Sequence, residues 1–153
     1  MKGTAEISEQ EKTATLNHFT LSDVPKLVDV IKKVSKENYQ KIVVEIYKGS
    51  RLVFLSAGDQ TTAENNLWAK KKYNVVAQYE HSSLYEKAVY NADNKVFFES
   101  SGYSPTDYAI VGGGFPLNVA TVGFSGVLVI SGLTDEEDHE LAYIALTELK
   151  KLQ

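Results

Sequence analysis

The chain has 153 residues, 43% of them apolar, which suits one globular domain with a real core and is too little for two. It has no cysteine, which excludes disulfides, thiolate metal sites and a cysteine nucleophile. A net charge of −4 argues against nucleic acid or an anionic membrane as partner, and no apolar run approaches the roughly 20 residues that span a bilayer.

Residues 1–15 are polar and unpatterned, so they read as a loose arm, or a tail that orders against a neighbouring subunit, ahead of a folded domain over 16–153. They also lack the apolar stretch of a signal peptide, which with the missing cysteines points to the cytoplasm. From Ser22, apolar residues Val24, Leu27, Val28, Ile31 and Val34 recur at helical spacing, with Ser22 or Asp23 as cap and Pro25 in the first turn. Ile42–Tyr47 and Leu52–Ser56 are β-branched or aromatic runs, and Lys48-Gly49-Ser50 between them predicts a hairpin. The spacing predicts a second helix over 61–78 and a third from Ser82 or Ser83 to Val89, with a serine as its cap.

Asn91-Ala92-Asp93-Asn94 breaks that pattern; Val96–Phe98 is then a short strand or a packing segment, and Ser104–Asp107 a turn. A second ribbon pairs 115–120 with 124–130, and Thr134-x-x-Glu137 is a capping box for a last helix. Two antiparallel ribbons separated by helices predict a single α+β domain: one mostly antiparallel sheet of four or five strands flanked by helices.

Gly112-Gly113-Gly114 is not a phosphate loop, because phosphate loops lead into a helix and a strand follows here. It predicts a sharp turn or a close backbone approach. His139 lies in the first turns of the last helix, where the dipole favours neutral imidazole, the form that can ligate a metal; alternatively it hydrogen-bonds the strand-to-helix connection. No paired histidines specify a metal site. Asn65, Trp68 and the basic run Lys70-Lys71-Lys72 gather polar donors around the single tryptophan, either as a pocket wall or as an interface anchor. The nine tyrosines, Tyr108 among them, suit a flat aromatic ligand or a wet subunit interface. Ser82, Ser83, His139 and Asp138 can be drawn as a hydrolase or isomerase set, but no Gly-x-Ser-x-Gly elbow supports acyl transfer.

Taken in order, Asn65-x-x-Trp68, Lys71-Lys72, Ser82-Ser83, Tyr108-Ala109, Gly112-Gly113, Phe115-Pro116, Gly123, Gly126, Ser131-Gly132-Leu133 and Asp138-His139 give the chain its family likeness. It resembles the haem-degrading-domain family, and within it the short stand-alone UPF0303 branch. The resemblance implies a profilin-like α+β arrangement and dimers that build larger assemblies. It also implies haem or another tetrapyrrole as candidate ligand. Members of this branch commonly carry histidine where this chain has Val111, which removes one iron ligand, and arginine where it has lysine near Trp68.

The leading expectation is therefore a cytoplasmic homo-oligomer that binds a small ligand, with haem as candidate cofactor. Asn65, Trp68, Lys72, Ser82, Ser83, Tyr108, Gly112, Gly113 and His139 are the candidate ligand-binding residues, Lys72 meeting a carboxylate and His139 the one candidate ligand for haem iron. The alternatives are an assembly or adaptor protein whose landmarks hold subunit contacts, and a small hydrolase or isomerase.

Overall fold

The computed structural model describes residues 2–153. A four-stranded antiparallel sheet is built from β1 (Val43–Lys48), β2 (Arg51–Ala57), β3 (Gly114–Val119) and β4 (Gly123–Ser131) in the order β2-β1-β4-β3. Each ribbon predicted from the sequence forms a hairpin, and β1 joins them by pairing with β4, Val43 opposite Ser131 and Lys48 opposite Gly126. Six helices flank the sheet: α1 (Thr4–Thr13), α2 (Asp23–Ser35), α3 (Ala63–Tyr79), α4 (Ser83–Val89), α5 (Asn94–Ser101) and α6 (Asp135–Lys151).

Because side chains alternate along a strand, β1 and β4 face two cores. Val44, Ile46, Leu128 and Ile130 point to one side, where Leu27 and Ile31 of α2 and Ala142, Ala145, Leu146 and Leu149 of α6 close over them. Val43, Tyr47, Val127 and Val129 point to the other, against Ala69, Tyr73 and Val76 of α3. Both central strands are thus buried on both faces, which explains their nearly unbroken apolar runs. Pro116 sits on β3, an edge strand, where a missing N–H is tolerated.

Two expectations are corrected. The first is the loose arm over 1–15. Residues 4–13 form α1, with Ile7, Gln10 and Glu11 buried, and Leu16 then pairs with the outer side of β3 through bonds of 2.8 Å to the Asn118 carbonyl and 2.9 Å from the Ala120 N–H. A single buried isoleucine leaves no apolar stripe to read; polar side chains do most of the docking. The second is the strand alternative for Val96–Phe98: the segment packs, as the other alternative had it, and lies inside α5. Asp93 caps that helix by accepting from the Val96 N–H at 3.2 Å, and Phe97 packs against Val75 and Ile110. The Thr134–Glu137 capping box forms as predicted. Among the described residues no helix is long and apolar enough to cross a membrane.

Candidate functional site

Asn65, Trp68 and Lys72 are spaced so that they share one face of α3. Opposite them β4 ends at Ser131, turns through Gly132 and Leu133, and enters α6, whose first turn carries Asp135 and Asp138. The two walls enclose a pocket of about 260 Å³, completed by Val111 ahead of the glycine run. Larger grooves of about 540 and 600 Å³ run beside α2, but they hold no buried charge and none of the candidate ligand-binding residues.

The floor of the pocket is a buried ion pair. Lys72 is 4% exposed and Asp138 1%. The Lys72 ammonium donates to Asp138 Oδ2 and to the Ile130 carbonyl, both at 3.1 Å. Asp138 also accepts from the Gly132 N–H at 3.2 Å and the Leu133 N–H at 3.0 Å, so one carboxylate holds the end of β4, the turn and α3 together. Burial pulls the Lys72 ammonium down and pushes the Asp138 carboxyl up, while the attraction between them opposes both shifts. Asp135 behaves differently. Burial raises it, but Lys87 at 2.6 Å and the Gly112 and Glu136 N–H groups outweigh burial and hold it below the usual carboxylate range.

The glycine run packs against this floor. Gly113 has φ +129°, and a Cβ there would stand 2.1 Å from the Ile130 carbonyl oxygen and 2.8 Å from Lys72 Nζ. At Gly112 a Cβ would lie 2.1 Å from the Asp135 carbonyl oxygen. Both positions demand glycine for close approach, one of the two readings that the sequence allowed. The Gly114 N–H is held by Ser83 Oγ at 2.9 Å, so the run presents no cradle of free amides.

Only part of the predicted site comes together. Asn65, Trp68 and Lys72 line the pocket, and Gly113 backs it. Lys72, expected to meet a ligand carboxylate, already has two donors engaged. The basic patch divides: Lys72 turns inward, Lys71 lies 4.7 Å over the Trp68 ring and Lys70 4.7 Å over Tyr73. Ser82 and Ser83 are fully buried, the first accepting from the Tyr85 N–H at the start of α4 and the second bonded to Gly114. Tyr108 stacks on Tyr103 at 4.1 Å in a separate aromatic cluster.

His139 follows Asp138 by one residue, about 100° around the helix, and faces away from the pocket. It is 1% exposed, with Nε2 2.7 Å from Gln10 Oε1 of α1 and its ring 5.3 Å from Phe115. Burial first, and then the Lys2 charge, lower its pKa to about 4, so the neutral form expected at the helix end is held mainly by burial. Its Nδ1 is buried without a partner. The pocket residues outside the predicted ligand-binding set are Val111, Ser131, Gly132, Leu133, Asp135 and Asp138. The signal for Asp138 was present, an acid in the first turn after a capping box, but it was read as a neighbour of His139.

The model of the family described as "Haem degrading protein HbpS-like" matches residues 19–147. The chain belongs to the HbpS-like family. A UPF0303 protein of Lactiplantibacillus plantarum is 52% identical over 144 residues, 94% of this chain and 93% of that protein. Among solved structures, the Ybr137w protein superimposes with a TM-score of 0.88 at 24% identity, over 98% of this chain and 89% of that one. A PduOC:heme complex gives a TM-score of 0.68 at 18% identity, over 84% and 92%. These structural likenesses carry the fold. The family match begins after α1, so the helix that covers His139 lies outside the segment by which this HbpS-like chain is defined.

His139 gives the pH dependence of stability a definite sign. Its pKa falls from 6.5 in the unfolded chain to about 4 in the fold, so the stabilisation from keeping it neutral is complete above pH 6.5 and is lost as pH falls towards 4. The loss reaches about 3 kcal/mol. Urea unfolding at pH 7.5 and pH 4.5 checks this: His139→Gln, which keeps a hydrogen-bonding group beside Gln10, is expected to lose most of that difference, whereas an unchanged pH slope would show that other groups set it.

Proposed function

We propose that this chain is a cytoplasmic ligand-binding protein whose site is the Trp68 pocket and whose ligand is a small, flat, largely uncharged organic molecule. The observation that carries the reading is the pocket's lining. The Trp68 ring, 38% exposed, forms an aromatic wall with Leu133 and Val111 beside it. Asn65 Oδ1 accepts from the Thr62 N–H at 2.9 Å, which leaves the Asn65 amide hydrogens for a ligand, and Ser131 adds a hydroxyl. A mostly apolar concavity with a few placed polar groups is the usual form of a small-molecule site.

The family's relatives favour haem, and this chain's own pocket does not fit it. No His, Met, Cys or Tyr lines the pocket, so haem iron finds no axial ligand there. His139, the candidate ligand, is sealed beneath α1. A volume of about 260 Å³ also lies below the roughly 300–1,000 Å³ of sites for drug-sized ligands, and a macrocycle is larger still. The hydrolase reading has no geometric support, because Ser82 and Ser83 serve backbone groups and Asp138 is bonded to Lys72 rather than to His139.

Titration with benzyl alcohol, followed by Trp68 emission, tests the pocket. Saturable quenching is expected, together with no saturable Soret shift on adding haem. Purely linear quenching would remove the pocket reading, and a Soret shift lost in His139→Ala would restore the tetrapyrrole one.

A second reading, self-assembly, is favoured by the edge strand β2. Leu52 and Leu55 are 45% and 46% exposed on the side that α3 leaves uncovered, and Leu67 of α3 is 56% exposed. An unpaired apolar edge is a ready surface for another copy of the chain. Light scattering should show an oligomer that Leu55→Glu dissociates; a monomeric wild-type chain would contradict the assembly reading.

A further inference from the structure

We propose that the groove between α2 and α6 is a second binding site, which takes a free amphiphile with an alkyl chain and a carboxylate head, a fatty acid of medium length. The site is separate from the Trp68 pocket, because α2 and α6 cover one face of the sheet and α3 covers the other.

Helical periodicity builds the groove. Lys26, Val30, Lys33 and Val34 recur on one face of α2, and Ile144, Glu148 and Lys151 recur on the facing side of α6. Val30 and Val34 give it an apolar side along α2, while Ile144 and Leu152, 38% and 67% exposed, leave apolar surface open along α6. From Lys26 to Val34 the helix rises about 12 Å, room for an extended alkyl chain. The volume of about 600 Å³ falls within the roughly 300–1,000 Å³ of small-molecule sites.

The rim decides the head group. Four lysines line the groove against two acids, Asp29 and Glu148, a surplus of two positive charges in a chain whose net charge is −4. Glu148 and Lys151 pair with each other at 2.9 Å. Lys26, Lys33 and Lys36 have no carboxylate within 4 Å among the described residues, Asp29 included. The helix dipole accounts for Lys33, in the last turn of α2, but not for Lys26, which stands in the first turn where a cation is disfavoured. A lysine can lay its alkyl stem along apolar surface and keep its ammonium at the edge of the water. An alkyl carboxylate complements both parts, its chain on the valines and Ile144 and its head among the unpaired ammonium groups. A cationic amphiphile of the same length meets repulsion from the same rim. The free molecule is favoured over a lipid surface because the site is concave and the chain as a whole is anionic.

Calorimetric titration of the full chain with sodium decanoate, kept below the concentration at which it forms micelles, tests the site. Saturable binding is expected, with decyltrimethylammonium binding roughly tenfold more weakly and Trp68 emission unchanged. The double variant Lys26→Gln/Lys33→Gln, which alters exposed side chains only, should weaken decanoate roughly five- to tenfold. Ile144→Asp, which sets a carboxylate against the alkyl chain, should abolish saturation; if that variant does not fold, the lysine variant decides. No saturable binding, equal binding of the two amphiphiles, or an affinity untouched by the lysine changes would overturn the proposal. Binding to phosphatidylglycerol vesicles without binding of free decanoate would overturn it too, and would assign the groove to a membrane surface.

Discussion

A lysine ammonium and an aspartate carboxylate, both out of water, hold together three segments that are distant in the chain. Lys72 comes from the middle of α3, Asp138 from the first turn of α6, and the Ile130 carbonyl that accepts from Lys72 from the last residues of β4. Such a pair is costly to bury, and it persists only where every remaining hydrogen-bonding group is satisfied. Here Gly132 and Leu133 supply the missing donors to Asp138. The constraint explains the glycines as well. With Lys72 Nζ and the Ile130 oxygen pressed against position 113, no side chain fits there, and the strand that follows must start from a bare backbone. Pocket, turn and glycine run are consequences of one contact.

The step from Asp138 to His139 separates two regions of the molecule. Asp138 faces α3 and the pocket; His139 faces α1 and the interior beside Phe115. On the His139 side, polar contacts clasp α1 to the body. Gln10 meets His139, and Glu11 receives the Ser82 N–H at 3.2 Å and lies 2.8 Å from His81 Nδ1. Glu86 is buried nearby, and burial raises its pKa, opposed by the charge of His81 and reinforced by that of Glu11. A helix docked through its polar side chains can cover a buried histidine without an apolar stripe of its own. Access to the imidazole and access to the pocket are therefore separate matters in this fold.

The architecture was legible because periodicity reports burial. The runs at 42–47 and 124–130 are apolar on both faces since both strands are central, and the helical spacing of α2 marks its one buried face. Capping signals placed the start of α6 as well. The loose-arm reading of α1 failed because its anchors, Gln10 and Glu11, look like surface residues until their partners are known. At the site, Trp68 and Asn65 could be chosen by chemistry, but which of two adjacent residues, Asp138 or His139, faces the cavity depends on helix phase, and that is set by distant packing. Lys72 was expected to meet a ligand carboxylate, and the carboxylate it meets is Asp138; a run of three lysines does not show which of them turns inward or to which partner.

The central claim is that Lys72 and Asp138 act as one unit, and a double-mutant cycle measures this directly. Lys72→Met, Asp138→Asn and the double variant would be compared by urea unfolding. Each single change should cost about 3 kcal/mol or more, because it leaves a buried charge or donor without its partner. The double variant should then be at least about 2 kcal/mol more stable than the sum of the two losses predicts. Losses that simply add, within about 0.5 kcal/mol, would mean that the two residues do not depend on each other and that something else holds the pocket floor.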